Sequence, residues 1–402
     1  MEWLNKVIRV FKLPDLRNKI LFVLGVFVIF RIMANIPMPG IEAEALKDFF
    51  EDLQVFGMLD LFVGGTLSQL SIVMLGLGPY ITATIIMQLL TMIFPPLERL
   101  YKEEGEAGRQ KFNQYGRILA VPLALVQGYG MLSLFQQQGA IGQLSTEIMI
   151  SSLVTVAAGC VFLMWLGELI SEKGIGNGIS LLIFAGIIAM FPTNLGQMFV
   201  GGLAAEEIPS YLLFAAMALL IIAGVVMVNQ GRRNIPVSYA KRVRGMKMYG
   251  GVSTYLPLNV NPAGVIPIIF AFAIMMFPGM VAGFLTGVEG PVGEIAQTVS
   301  RFLERELVYS LLLFVLVVLF TFFYTAVTFD PKAVSNNLQK MGGFVPGIRP
   351  GESTANFLRY ILNRVLVFGA LFLAVIAVLP SIVPLIIERL TGTEIGVFYF
   401  FI

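Results

Sequence analysis

The side chains that usually do chemistry are scarce in this chain. Its 402 residues include no histidine and a single cysteine, Cys160. The most common general base, the usual zinc ligand and the physiological pH switch are therefore missing together. Neither a disulfide framework nor a thiolate metal cluster can form. No G-x-x-x-x-G-K-[ST] pattern occurs, so no phosphate-cradling loop is expected and nucleotide energy would have to come from a partner. Within the long apolar stretches the Asp, Glu, Lys and Arg residues are Arg31, Glu168, Arg359 and Arg364, all toward predicted ends, with no carboxylate at mid-depth. Ion-coupled transporters normally keep carboxylates there for protons or sodium. What recurs instead is a pair of bulky aliphatics spaced i, i+4: Leu77 and Ile81, Ile179 and Ile183, Val265 and Ile269. This spacing places each pair on one helix face. Most such pairs serve helix–helix or lipid contacts, but a constriction of them closes a pore to ions by dewetting.

A second group of residues is suited to binding. Between Gln230 and Val260 lie Arg232, Arg233, Lys241, Arg242, Arg244 and Lys247, interleaved with Tyr239 and Tyr249. A second long loop, Pro331–Thr354, is rich in Gly and Pro and carries Arg349. Topology and attraction to anionic lipid explain the charge. They do not explain the length, and long loops on one side point to a docking platform. RNA and an acidic protein face both fit basic residues with interleaved aromatics.

The elements that must position these groups are membrane spans. The chain is 57% hydrophobic and 13% charged, with a mean hydropathy of +0.84, whereas a soluble domain is about a quarter charged. Nine stretches approach the ~20 apolar residues a spanning helix needs: Ile20–Ile36, Leu70–Phe94, Ile118–Phe135, Ile148–Ile170, Ile179–Phe191, Tyr211–Val228, Val265–Leu285, Leu307–Phe329 and Phe357–Leu379. The fifth is short and could extend to Val200. With the N-terminus inside, 22 of the 27 Lys and Arg fall on the cytoplasmic side and four outside, which orients the chain by the positive-inside rule. Ahead of the first span, Trp3, Leu4, Val7, Ile8 and Phe11 recur at helical spacing among Lys6, Arg9 and Lys12, the pattern of a short helix lying at the membrane surface.

Helix breakers interrupt three spans. The second carries Gly76-Leu77-Gly78-Pro79, the turn before the fifth reads Lys173-Gly174-Ile175-Gly176-Asn177-Gly178, and the seventh opens Asn261-Pro262-Ala263-Gly264-Val265-Ile266-Pro267. Irregular backbone at membrane depth is tolerated where protein buries it or where it lines a watery cavity, so three breaks together point to an internal cavity. Before the second span, Leu59–Ser71 is amphipathic, too short to span and hinged at Gly64-Gly65. It fits either a half-inserted segment dipping from the outer side or an outer-surface helix.

These segments, in order, resemble the bacterial SecY family, whose members are the central subunit of a protein-conducting channel. The resemblance rests on Phe30-Arg31-Ile32 through Ile36-Pro37-Met38-Pro39-Gly40, Phe62-Val63-Gly64-Gly65, Gly78-Pro79-Tyr80-Ile81, Leu163-Met164-Trp165-Leu166-Gly167-Glu168 and Gly174–Ser180 in the first half. Tyr239-Ala240-Lys241-Arg242, Asn261–Pro267 and Phe344–Gly351 carry it through the second. The resemblance implies an all-α polytopic transmembrane bundle whose two pseudo-symmetric halves, residues 1–205 and 206–402, enclose an hourglass pore. Leu77, Ile81, Ile183 and Ile269 would form the ring at its waist. Leu59–Ser71, including Leu61, Phe62, Gly64, Gly65 and Leu67, would be the plug. The second and third spans would face the seventh and eighth across a lateral gate. Lys241, Arg242, Arg244, Lys247 and Arg349 would dock the motor ATPase SecA or the ribosome. SecE and SecG would be small companion subunits in the bacterial plasma membrane, secretory polypeptides and membrane lipids the other partners, and no cofactor, metal or catalytic residue is implied. The family has ten spans, and here Val397-Phe398-Tyr399-Phe400 resembles the run before the tenth, so a truncated tenth span is expected. An ion-coupled transporter for a small solute is the alternative that inverted repeats and broken helices allow. An intramembrane enzyme is not supported by any Ser–Lys, Ser–His or paired Asp arrangement.

Overall fold

A computed structural model describes residues 13–39, 60, 63–137, 139–200, 208–239, 242–244, 247–249, 253–285, 293–294, 298 and 305–391. The expected surface helix before Leu13, the plug residues Leu59, Leu61 and Phe62, Lys241 and the stub of a tenth span lie outside the described residues. In chain order the elements are α1 (Pro14–Ala34), α2 (Gly78–Ile93), α3 (Pro95–Lys102), α4 (Gly105–Gln137), α5 (Thr146–Lys173), α6 (Gly178–Val200) and α7 (Ile208–Gln230). Then come β1 (Arg232–Tyr239), β2 (Arg242–Arg244), β3 (Lys247–Tyr249), β4 (Ser253–Asn259), α8 (Ile266–Leu285), α9 (Glu306–Thr328), α10 (Pro331–Lys340), β5 (Gly343–Phe344) and α11 (Glu352–Thr391). Each of the nine apolar stretches contains a helix.

Among the described residues, α4, α5, α7, α9 and α11 contain stretches long and apolar enough to cross a membrane, and α2 with α3 would make a sixth if taken as one broken span. That break is a bend of 115°. Phe94 is extended there because a proline follows it. The apolar window of α7 is entirely unburied, and Met227 is 79% exposed. A helix that apolar with so little protein cover is at home in lipid.

The chain divides into two compact units, the second beginning at Glu206. In the first, Val23, Val26, Phe30 and Ala34 line one face of α1 and pack with Leu163, Leu166 and Ile170 of α5 and Leu182 of α6. Helices α5 and α6 cross through glycine: a Cβ at Gly178 would lie 1.9 Å from the Gly167 carbonyl oxygen. The Asn177 side chain caps α6 by accepting from Ile179 and Ser180 N–H at 3.1 and 3.2 Å.

The second unit pairs α9 with α11, and Phe270 of α8 meets Phe320 and Tyr324 of α9 edge to face, each at 5.9 Å. Helix α11 has 40 residues, a length of about 60 Å against a hydrocarbon core of about 30 Å. Part of it therefore extends beyond the bilayer, and its N-terminal turns pack against a small β structure. The two long loops, treated as separate in sequence, are joined: β1 pairs antiparallel with β4 and also with β5, through Ser238 opposite Phe344 and Tyr239 opposite Gly343.

The second apolar stretch corrects one expectation. It was expected to span from Leu70, but the helix starts only at Gly78. From Gly64 to Leu77 the backbone runs mainly through turns. Leu70 and Gly76 sit at φ 42° and 53°, outside helical geometry, and Pro79 stands at the first helical positions, where its missing N–H costs nothing.

Candidate functional site

Two regions hold the residues singled out by sequence. The first is the unwound segment and its surroundings in the first unit. Irregular backbone leaves N–H and C=O groups that must be satisfied locally. Asp60 meets part of this need: one carboxylate oxygen accepts from the N–H groups of both Leu67 and Ser68 at 2.9 Å. Burial raises the Asp60 carboxyl above its ordinary range, and the hydrogen bonds from Ser68 and Leu67 oppose that rise. The Thr66 hydroxyl reaches the Val63 and Met74 carbonyls at 3.2 and 3.3 Å. The end of the segment is stitched to the end of α1 by Met38 N–H to Leu70 O at 2.8 Å and Ile72 N–H to Ile36 O at 3.0 Å. Leu67 and Leu70 are each 1% exposed and pack with Met74, Met131, Leu132 and Phe135. From Gly64 to Leu77 most residues are buried within the unit.

Gly64 and Gly65 are the predicted hinge, and their role is sharper than flexibility. Both have positive φ, 81° and 78°, which glycine adopts without steric cost. A Cβ on Gly64 would lie 2.6 Å from Cα of Gly186 in α6, and one on Gly65 would strike the Met190 sulfur at 2.4 Å. The Arg31 guanidinium donates to the Gly64 carbonyl at 3.1 Å.

Three of the four expected ring residues lie together. Leu77 is buried in the cluster formed with Val73, Leu163, Leu166 and Leu182, while Ile81 and Ile183 are partly buried against it. Ile81 N–H bonds to Leu77 O at 3.0 Å, so Leu77 caps the helix that Ile81 continues. Ile269 belongs to the second unit, where it is half-buried on the first turn of α8.

The second region is the β platform. Ile235 and Leu258 pack with Val345 and with Leu358 of α11 in a buried cluster, and Arg232, Arg233 and Asn234 at the start of β1 are all exposed. Beyond it β2 and β3 pair, with Arg242 opposite Tyr249 and Arg244 opposite Lys247. Arg349 is exposed, in a turn fixed by Thr354 Oγ1 donating to the Arg349 carbonyl at 2.8 Å and Ser335 Oγ donating to Gly351 O at 2.6 Å. Sequence reasoning missed the Asp60 cap, the Arg31 contact, the ion pair between Arg117 and Glu168, and the 3.3 Å bond from Gln127 to Thr82. A lone cation inside an apolar stretch was the available signal for Arg31. A lone carboxylate near a span end was the signal for Glu168.

No group of histidine, cysteine, aspartate or glutamate among the described residues is arranged to hold a metal. With that geometry in hand, the comparisons decide the family. The SecY family model matches residues 71–399. The chain belongs to the SecY family. It is 42% identical over 387 residues to the protein translocase subunit SecY of Streptomyces galbus, covering 93% of this chain and 88% of that one. It is also 42% identical over 382 residues to the Aquifex aeolicus subunit, with the same coverage. Its fold is similar to a solved protein conducting channel, with a TM-score of 0.61 at 20% identity over 94% of this chain and 88% of that one. It is similar too to Sec61 in a canine ribosome–channel complex, with a TM-score of 0.56 at 18% identity over 94% and 87%. The SecY-family chain is thus a multi-pass membrane protein with the expected helical-bundle fold, from a family of channel subunits and not of enzymes.

Proposed function

We propose that this SecY-family chain is the channel subunit of a protein translocase, passing unfolded secretory polypeptides across the membrane and releasing apolar segments sideways into lipid. The observation that carries this is 42% identity to translocase subunits along nearly the whole chain. The small-solute transporter finds no support among these relatives. The physical reading agrees. A polypeptide channel must pass varied side chains and still hold back ions, so its constriction should be compliant and apolar. Branched aliphatics meet both demands, and dewetting provides the barrier.

In this reading residues 1–205 and 206–402 form the two halves of the pore. Leu77, Ile81, Ile183 and Ile269 form its ring, and Leu59–Ser71 is the plug. Helices α2 and α4 would face α8 and α9 across the lateral gate. An apolar signal helix leaves by that gate because it gains more in lipid than in water. The N-terminus and the β platform face the cytoplasm, as the distribution of Lys and Arg favours. Lys241, Arg242, Arg244, Lys247 and Arg349 dock the motor ATPase SecA or the ribosome. The register of Arg244 opposite Lys247 supports an acidic partner, since like charges facing across a ladder destabilise it until countered. SecE and SecG are the expected small subunits. The test is reconstitution of the chain with these subunits in proteoliposomes with SecA and ATP. An unfolded secretory protein should become protected from added protease. Absence of protection, together with uptake of a small solute driven by an ion gradient, would overturn the proposal in favour of a transporter.

A further inference from the structure

We propose that Arg31 is a latch that seats the segment Val63–Ser71 against α6 and so holds the resting channel shut. Three observations meet at one place in the first unit. The only Lys or Arg within the first apolar stretch, Arg31, spends a hydrogen bond on the Gly64 carbonyl at 3.1 Å. The same glycine lies so close to Gly186 that a Cβ on either would approach the other backbone to 2.6 or 3.2 Å. The next residue, Gly65, lies against the Met190 side chain.

The chemistry explains why a cation sits there. A guanidinium is charged at every accessible pH and offers five donors in a planar fork. It is costly at membrane depth unless it finds acceptors. Gly64, in a turn rather than a helix, presents a carbonyl that α1 can reach. Both groups gain from the bond: the charge finds an acceptor and the irregular segment loses one unsatisfied carbonyl. The glycine pair adds shape. Two backbones approach closely only where neither carries a side chain, so the segment has one seat and fits it in one position. Asp60 holds the segment's own shape, and Arg31 fixes that preformed piece to its neighbours. Arg31 is a positioning residue and need not touch the translocating chain.

This inference rests on reading Leu59–Ser71 as the plug, and the experiment separates the two. Leu67, 1% exposed, is replaced by Cys, and the assembled complex in membranes is treated with N-ethylmaleimide while resting ion conductance is recorded. The native Cys160, 2% exposed in α5, serves as the internal control. Losing a hydrogen bond to a charged group shifts such an equilibrium by roughly tenfold or more. Arg31→Leu should therefore raise both the labelling rate at position 67 and the conductance by roughly tenfold or more, leaving Cys160 unlabelled. Arg31→Lys, which keeps the charge but not the fork, should fall between. Gly186→Ala should raise both readouts with Arg31 intact. Unchanged labelling at position 67 in Arg31→Leu overturns the latch. Equal labelling of Cys160 also overturns it, because the whole unit has then loosened. A rise in labelling without a rise in conductance leaves the latch standing and overturns the plug reading.

Discussion

The unwound segment of the first unit and the β platform of the second solve the same problem in opposite ways. Both contain backbone that is not helical. In the platform the strands satisfy their own N–H and C=O groups through the β1–β4 ladder, which runs from Arg232 opposite Asn259 to Ser238 opposite Ser253. Side chains are left over for other uses, with Ile235 and Val237 buried and Arg232 and Arg233 exposed. In the segment no ladder exists beyond the bridge of Pro37 to Ser71. Its backbone is satisfied by turns and by single side chains: Asp60, Thr66 and Arg31. Buried irregular backbone thus consumes polar side chains, while a regular ladder frees them for a partner.

Substitutions can break that contrast. The largest effect is expected at Gly159 of α5, where a Cβ would come within 2.2 Å of the Ile72 carbonyl in the unwound segment. Gly159→Leu should cost about 3 kcal/mol or more and show as loss of the folded complex in detergent thermal unfolding. Next comes Asp60→Ala, which strands two N–H groups and should cost about 2–3 kcal/mol in the same assay. By contrast, reversing Arg242, Arg244 and Arg349 to Glu should leave stability within about 0.5 kcal/mol. It should still weaken SecA or ribosome binding, and added salt should imitate it. Binding indifferent to both changes would return these residues to a lipid-facing role.

The smallest effect sharpens the segment's side of the comparison. Because burial raises the Asp60 carboxyl, the seated segment holds that proton more tightly than the unfolded chain. Its stabilising contribution is present in acid and is lost as pH climbs from about 4 through the raised value. Asp60→Asn keeps an oxygen acceptor and should flatten that dependence in thermal unfolding measured across pH.

Much of this was legible in the residues. Apolar length predicted a helix within each of the nine stretches, because a spanning helix satisfies its own backbone and needs little else. Gly76-Leu77-Gly78-Pro79 marked the place where the second stretch breaks, since glycine and proline disrupt helices by local means. The start of that helix was misjudged by eight residues, at Gly78 instead of Leu70. Apolar side chains at 70–77 serve a buried coil as readily as a helix, so hydropathy does not distinguish them. The pairing of β5 with β1 was not legible either: it joins residues about a hundred apart, and a two-residue strand has no period to read. Arg31 stood out by its charge, but the acceptor at Gly64 is a backbone oxygen, which sequence does not distinguish from any other. The pairing of Arg117 with Glu168 was hidden because Arg117 immediately precedes the third apolar stretch, where a cation reads as a topology signal.

The central claim is that branched aliphatics, and not acids or histidines, close the path. It is tested most directly by single-channel conductance of the resting complex carrying Ile81→Ser, Ile183→Ser and Ile269→Ser together. The account predicts a raised ion leak, with secretory polypeptides still translocated. Conductance and translocation both equal to those of the unaltered complex would contradict it.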